Sequence, residues 1–219
     1  MTLARTARRP LLKAALGVAA LGGLSGCGAL AALGGAATPL DAYDLRPPAD
    51  GPRAAGAPLA RSLVIETPEA AGAIDTDRIL IRPHPLQAQY LPGARWTDPA
   101  PVLVQTLILR TVENAGALRF AGRRPLGGSG DFALVSEITD FQAELPGNDG
   151  AAALVRVRIA ARLVRESDAA VVASRVFEAT APAARLETLS VVEAFDAAAA
   201  PVSGDLAAWV LRTMGARLA

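Results

Sequence analysis

Apolar and polar positions alternate most cleanly over Leu154–Arg165. There Val155, Val157, Ile159, Ala161 and Leu163 fall to one side, and Arg156, Arg158 and Arg162 to the other. A period of two over such a stretch predicts a half-buried β-strand. Residues 132–145 and Ala170–Pro182 are long strand candidates on either side of it. The segment 146–150, Pro-Gly-Asn-Asp-Gly, reads as the hairpin turn joining the first two, and Glu166-Ser167-Asp168 as a tighter turn joining the next pair. Shorter strands are expected at 41–46, at 61–67 around Leu63-Val64-Ile65, and at 78–82. Pro83-His84-Pro85 should stop the last of these, with 86–91 as its return partner and Pro92-Gly93 as the end of that partner.

Two segments keep a helical period instead. Val102, Leu103, Thr106, Leu107, Leu109 and Val112 follow Pro99, which suits a first turn, and Thr97 or Asp98 is placed to cap it. Residues 114–116, ending in glycine, supply the stop. From Leu189 to about Met214, a stripe of Val191, Phe195, Ala198, Val202, Leu206 and Trp209 predicts a second helix, which Pro201 should kink or divide. The pattern as a whole predicts an α+β fold, an antiparallel strand meander packed by two helices, in a single domain.

The N-terminal pattern belongs to neither element type. Arg5, Arg8, Arg9 and Lys13 lead into the apolar run from Ala14 to Leu21, which is shorter than the roughly 20 residues that span a bilayer. Leu24-Ser25-Gly26-Cys27 follows. The segment reads as an export signal over 1–26, and its end resembles the lipobox of bacterial lipoproteins, in which the cysteine receives a diacylglycerol and an acyl chain. Cys27 is the sole cysteine of the chain, so intrachain disulfides and multi-cysteine zinc sites are excluded. Residues 27–39 then form the lipidated cysteine and a small-residue tether, and 40–219 the folded domain. A second soft stretch, 47–58, reads as a loop between early strands.

Composition narrows the partners. The 219-residue chain has 22 basic and 21 acidic residues. Loss of the first 26 residues, with four basic and no acidic side chains, leaves 193 residues carrying 18 against 21, a net charge of −3. A slightly acidic body argues against nucleic acid as a partner. Catalytic motifs are equally scarce. His84, the lone histidine, sits between two prolines; Asp75 and Asp77 read as a solvated turn before a strand. Gly127-Gly128-Ser129-Gly130 lacks the Lys-Ser/Thr of a phosphate loop. The arginines of Leu154–Arg165 offer a solvated sheet face or, alternatively, a docking face. These residues point to a non-enzymatic protein without a cofactor.

One ordered set of residues adds more. Tyr43-Asp44-Leu45 comes early, then Asp77-Arg78-Ile79-Leu80-Ile81-Arg82, Gln89-Tyr90 and Arg95-Trp96, leading into the helix after Pro99. This order resembles the ABC-type transport auxiliary lipoproteins, the PqiC-like family, over about residues 40–213. Pro201 and the lone tyrosine near position 90 depart from the family pattern. The resemblance implies a non-catalytic lipoprotein subunit that works with an ABC transporter and an MCE-domain protein, moving lipids between envelope membranes. It implies residence in the outer membrane, facing the periplasm; a second copy of the chain is a further candidate partner, with the oligomeric state left open. Tyr90 and Trp96 become candidates for a partner contact, Trp96 having the alternative of packing at the helix entry. Two other roles fit a lipoprotein of this size, a lipid-binding carrier and an activator of peptidoglycan synthesis.

Overall fold

The alternating stretch forms the middle of a sheet. In the computed structural model, which describes residues 39–124, 130–145 and 153–219, the described residues form nine strands and two helices. In chain order these are β1 (Asp41–Tyr43), β2 (Leu59–Ile65), β3 (Glu69–Ala70), β4 (Arg78–His84), β5 (Gln87–Trp96), α1 (Ala100–Ala115), β6 (Leu118–Gly122), β7 (Phe132–Glu144), β8 (Leu154–Arg165), β9 (Ala170–Pro182) and α2 (Thr188–Thr213). Leu40–Ala219 is one compact unit. Cys27, the tether to residue 38, residues 127–129 and the turn at 146–150 lie outside the described residues.

β7 organises the sheet. One of its edges pairs antiparallel with β8 along the whole length, from Phe132↔Arg165 to Glu144↔Leu154. Its other edge is shared by three strands, all parallel to it: β2 at Phe132 to Leu134, β3 at Glu137 and Ile138, and β4 at Ala143 and Glu144. β6 extends the sheet beyond β2, and β5 then β1 extend it beyond β4. The α+β class is as expected, but the sheet is mixed. The antiparallel meander is β7–β8–β9, joined by the β4–β5 hairpin; the remaining pairings are parallel. Short strands such as β3 and β6 carry no local signal of their partner, so distant β7 and β2 decide their direction.

Both helices sit over the apolar side. α2 packs against β8 and β9, and α1 against α2, β2 and β6. Val155, Val157, Ile159, Ala161 and Leu163 are at most 2% exposed, as their alternation requires. α1 ends where glycine was expected: Gly116 adopts φ 63°, the left-handed conformation that closes a helix at little cost. The loop before β2 is tied to both helix ends, Ala54 N–H donating to Ala115 O at 2.8 Å and Ala55 N–H to Arg217 O at 2.9 Å.

Four local expectations are corrected. β4 runs on through Pro83 to His84, where a register shift accommodates the missing N–H. β5 likewise continues through Pro92-Gly93 to Trp96. The register passes from Leu80↔Tyr90 to Arg78↔Arg95, so extra residues of β5 bulge outward, and Gly93 at φ 71° makes the bulge feasible. α1 begins without a side-chain cap from Thr97 or Asp98; the Ala100 N–H donates to Thr76 O at 3.0 Å instead. Pro201 does not divide α2, which is continuous across it. Pro201 and Ala197, whose carbonyl loses its usual donor, both lie on the exposed side.

Candidate partner interface

The bulge in β5 decides where the two candidate aromatics go. Beyond Gly93 the strand turns Ala94 and Trp96 into the core, both 0% exposed. The Trp96 ring stands 5.5 Å from Phe141 of β7 and 5.1 Å from Phe195 of α2, and those two rings are 5.0 Å apart. Trp96 is thus the centre of an aromatic cluster linking sheet to helix, and the expected contact role is corrected: no part of it reaches the surface. Its Nε1–H has no acceptor within the protein.

Tyr90 lies before the bulge and stays accessible, at 37%. Its hydroxyl donates to Ala73 O at 3.3 Å, and the Arg78 guanidinium lies 5.6 Å from its ring centre. A cation over an aromatic face is attracted to the ring quadrupole, which orders both side chains. The structure therefore does not bring Tyr90 and Trp96 together.

An apolar tip appears where the sequence suggested a proline stop and the start of a return strand. The β4–β5 hairpin turns at Pro85-Leu86, and Leu86 is 92% exposed. Beside it Arg82, Pro85, Asp140, Glu144, Leu145 and Leu154 line a hollow of about 550 Å³. The signal was a leucine inside a proline-rich turn, where no core could receive it.

The arginine face of β8 is largely neutralised from within. Arg156 Nε donates to Glu144 at 3.0 Å and its Nη1 to Glu178 at 2.5 Å. Arg158 lies 3.4 Å from Glu178. The bonds to Glu144 and then Glu178 hold the Arg156 pKa above the ordinary arginine value. Gln142 Nε2 ties Asp140 and Glu144 together at 3.0 and 3.2 Å. Arg162 is the stripe's arginine without an ion pair among the described residues.

A second polar cluster latches the far end of the sheet. Asp131 accepts from the Ser62 N–H at 2.7 Å and its hydroxyl at 2.8 Å, which lowers the carboxyl pKa below its usual value. Arg124 bridges Glu66 and Glu166, and Glu166 accepts from the Gly130 N–H at 2.6 Å. These bonds join β2, β7 and β8. His84 is exposed, its Nδ1 accepting from the Leu86 N–H at 3.3 Å, and Asp77 lies 3.6 Å from Arg95. Among the described residues no three His, Cys, Asp or Glu side chains are gathered to hold a metal.

Comparison with known proteins adds four findings. A family model described as "ABC-type transport auxiliary lipoprotein component" matches residues 43–207. An uncharacterised protein of Bradyrhizobium diazoefficiens is 33% identical over 182 residues, covering 81% of this chain and 47% of that protein. The chain thus spans about half the length of this curated relative. The crystal structure of a Xanthomonas campestris protein superposes with a TM-score of 0.67 at 27% identity, covering 81% of this chain and 95% of the other. Another crystal structure, of an uncharacterised protein, has the same fold at a TM-score of 0.56 and 16% identity, covering 78% and 99%.

Proposed function

The chain belongs to the family of ABC-type transport auxiliary lipoprotein components, and from that premise we propose that it is a non-catalytic, lipid-anchored subunit of an envelope system for lipids. Its partners in this reading are an ABC transporter and an MCE-domain protein, whose periplasmic bridge it docks or stabilises at the outer membrane. The carrying observation is the breadth of the family match, which runs from β1 to deep within α2.

Anchoring in this reading falls to Cys27. No described helix is long and apolar enough to cross a membrane. Each buried methylene contributes about 0.8 kcal/mol, so one acyl chain binds reversibly and two or more hold firmly. A diacylglycerol plus an acyl chain on Cys27 exceeds that requirement. The hairpin tip, with Leu86 exposed beside a hollow lined by both charged and apolar side chains, is the surface this reading assigns to the transport partner. Apolar anchors in a polar rim are the usual centre of protein contacts.

The test is affinity purification of a C-terminally tagged copy from gently solubilised native membranes, beside a Cys27→Ser copy. Recovery of an MCE-domain or ABC subunit, weakened in Cys27→Ser, supports the reading. Recovery of a peptidoglycan synthase, or of bound lipid with no protein partner, overturns it.

A further inference from the structure

The two ends of β7 carry different surfaces. The hairpin tip lies past its last residues, since Arg82 pairs with Glu144. Past its first residue, Phe132, β2 extends back from Leu63, and other segments gather around it. Leu59 N–H donates to Ala117 O at 2.9 Å, Ala55 N–H to Arg217 O at 2.9 Å, and Arg61 Nη1 to Met214 O at 2.9 Å. The ends of both helices, the start of β6 and the loop around Ala55 thus share one surface. The length of β7 sets it about 40 Å from the tip along the strand.

This far end holds arginines without acidic partners. Arg53, Arg61, Arg119 and Arg217 are exposed, and none forms an ion pair among the described residues. The Arg53 guanidinium caps the carbonyls of Ala49, Gly51 and Pro52, which satisfies N–H groups and leaves its charge. Of the nearby carboxylates, Glu66 and Glu166 are held by Arg124, and Asp168 by Arg165. Arg212 stands with Asp50 and Asp205 around a separate hollow. Asp131, bound by Ser62, and Glu113 in the last turn of α1 are left to offset four cations. Positive charge therefore faces out here, although residues 27–219 are acidic overall. Phe120 follows Arg119 on β6 and is 45% exposed. Its ring folds along its own strand over Gly122, where a Cβ would stand 2.7 Å from it.

We infer, taking the lipid-anchored reading above, that this end is the domain's own contact with the membrane surface. Its arginines meet the phosphates of net-negative phospholipid headgroups, and the Phe120 ring meets the acyl boundary. Guanidinium groups bind phosphate through paired N–H donors, and an apolar ring among cations suits an interface of headgroup and acyl chain. Each basic side chain close to an anionic surface strengthens contact about fivefold, and the attraction fades within about 8–10 Å at ordinary salt. An end held at the surface can use it, and the anchor does the holding. Cys27 precedes Leu40 by 13 residues, a covalent reach of at most about 43–47 Å. That reach exceeds the length of β7, so the anchor by itself lets either end face the lipid. The arginines make the choice, and the hairpin tip then points away from the headgroups, toward the transport partner.

Spin labels at the two ends test the orientation. Full-length Ala55→Cys and Leu86→Cys proteins are labelled and reconstituted into vesicles of phosphatidylcholine, alone or mixed with equal phosphatidylglycerol. In the mixed vesicles the Ala55 label is expected to be relaxed by lipid-soluble oxygen and shielded from a water-soluble nickel chelate; the Leu86 label is expected to show the reverse. The contrast is expected to fade in phosphatidylcholine alone. Arg119→Glu with Arg217→Glu is expected to melt as the parent does and to weaken the contact at least about twenty-five-fold, from two arginines at about fivefold each. Arg119→Gln with Arg217→Gln is expected to fall between. Equal relaxation of the two labels overturns the proposal, as does a contrast that survives the glutamates or is as large in phosphatidylcholine. An Ala55 label shielded from both relaxing agents is covered by protein, which overturns it too. The mass of the Cys27 fragment reads the anchor separately, and the depth contrast reads the orientation whether lipid or the uncut leader holds the chain.

Discussion

The edge of the Trp96 indole meets Phe195, with centroids 5.1 Å apart and planes at 81°. Edge-on aromatic pairs add about 0.5–1.5 kcal/mol beyond the area they bury. This contact joins the last residue of β5 to the first third of α2, so it couples two elements distant in sequence. The Nε1–H of the same ring has no protein acceptor, and leaving a buried donor unpaired costs about 1–3 kcal/mol. Two substitutions separate these effects. Trp96→Ala is expected to lose about 3–5 kcal/mol in urea unfolding, the usual range for emptying a large aromatic site. Trp96→Phe keeps a ring and removes the orphan donor, so its loss is expected to be well under half of that. Equal losses for the two variants contradict the assignment of a packed but unpaired indole.

Backbone conformation gives an opposed pair of predictions. Gly116 closes α1 at φ 63°, and Ala169 occupies φ 55° in the β8–β9 turn. An L-residue in that region carries a penalty of roughly 1–2 kcal/mol, which glycine avoids at the expense of about 0.5–1 kcal/mol of chain entropy. Gly116→Ala should therefore lower stability by about 0.5–1 kcal/mol, the difference of the two effects. Ala169→Gly should raise it by about 0.5 kcal/mol, the difference of the two effects. Denaturant midpoints at constant slope measure both. A Gly116→Ala protein as stable as the parent rules out a left-handed cap there.

These positions also mark where the sequence was legible. β8 and β9 were read with their observed bounds because alternation is a local property, and Val155 to Leu163 display it over a full strand. β6 escaped notice because Leu-Arg-Phe-Ala-Gly is too short to distinguish a strand from a loop, and β3 has two residues. The parallel pairings of β2, β3 and β4 with β7 depend on contacts between distant segments, which no local pattern encodes. Trp96 was open to a surface role because Pro92-Gly93 looked like a strand end. The glycine serves a bulge instead, and the bulge carries the tryptophan inward. The exposed hairpin tip was hidden from the sequence because Leu86 reads as the start of the return strand over 86–91; the hollow beside it needs β7 and β8 alongside.

Arg156 predicts how the outer sheet face responds to salt. It binds Glu144 and Glu178 at once, from one strand to both neighbours. The three side chains are about a third exposed, so solvent discounts the pairing. Arg156→Ala is expected to cost about 1 kcal/mol at low salt, the upper end for accessible pairs that form a network. At about 1 M salt, where the screening length falls to about 3 Å, most of that difference should vanish. Arg156→Met keeps the alkyl stem and should show the same salt dependence. A cost that is constant across salt instead assigns the effect to packing.

Asp131 predicts an acid limit to the latch between β2 and β7. Its carboxylate accepts two hydrogen bonds from Ser62, the hydroxyl contributing most, and this lowers its pKa in the folded state. A depressed folded pKa means that the unfolded chain binds the proton first as pH falls. The contribution to stability is therefore fully present above the unfolded aspartate value, about 3.9, and is lost as pH drops from there through the lower folded value. Asp131→Asn removes the titrating group while keeping the side-chain shape. The stability difference between parent and Asp131→Asn should be largest near neutral pH and should shrink below about pH 4. Urea unfolding at a series of pH values measures it. A difference that stays flat across that range contradicts the carboxylate as the titrating acceptor and leaves Ser62 held by shape alone.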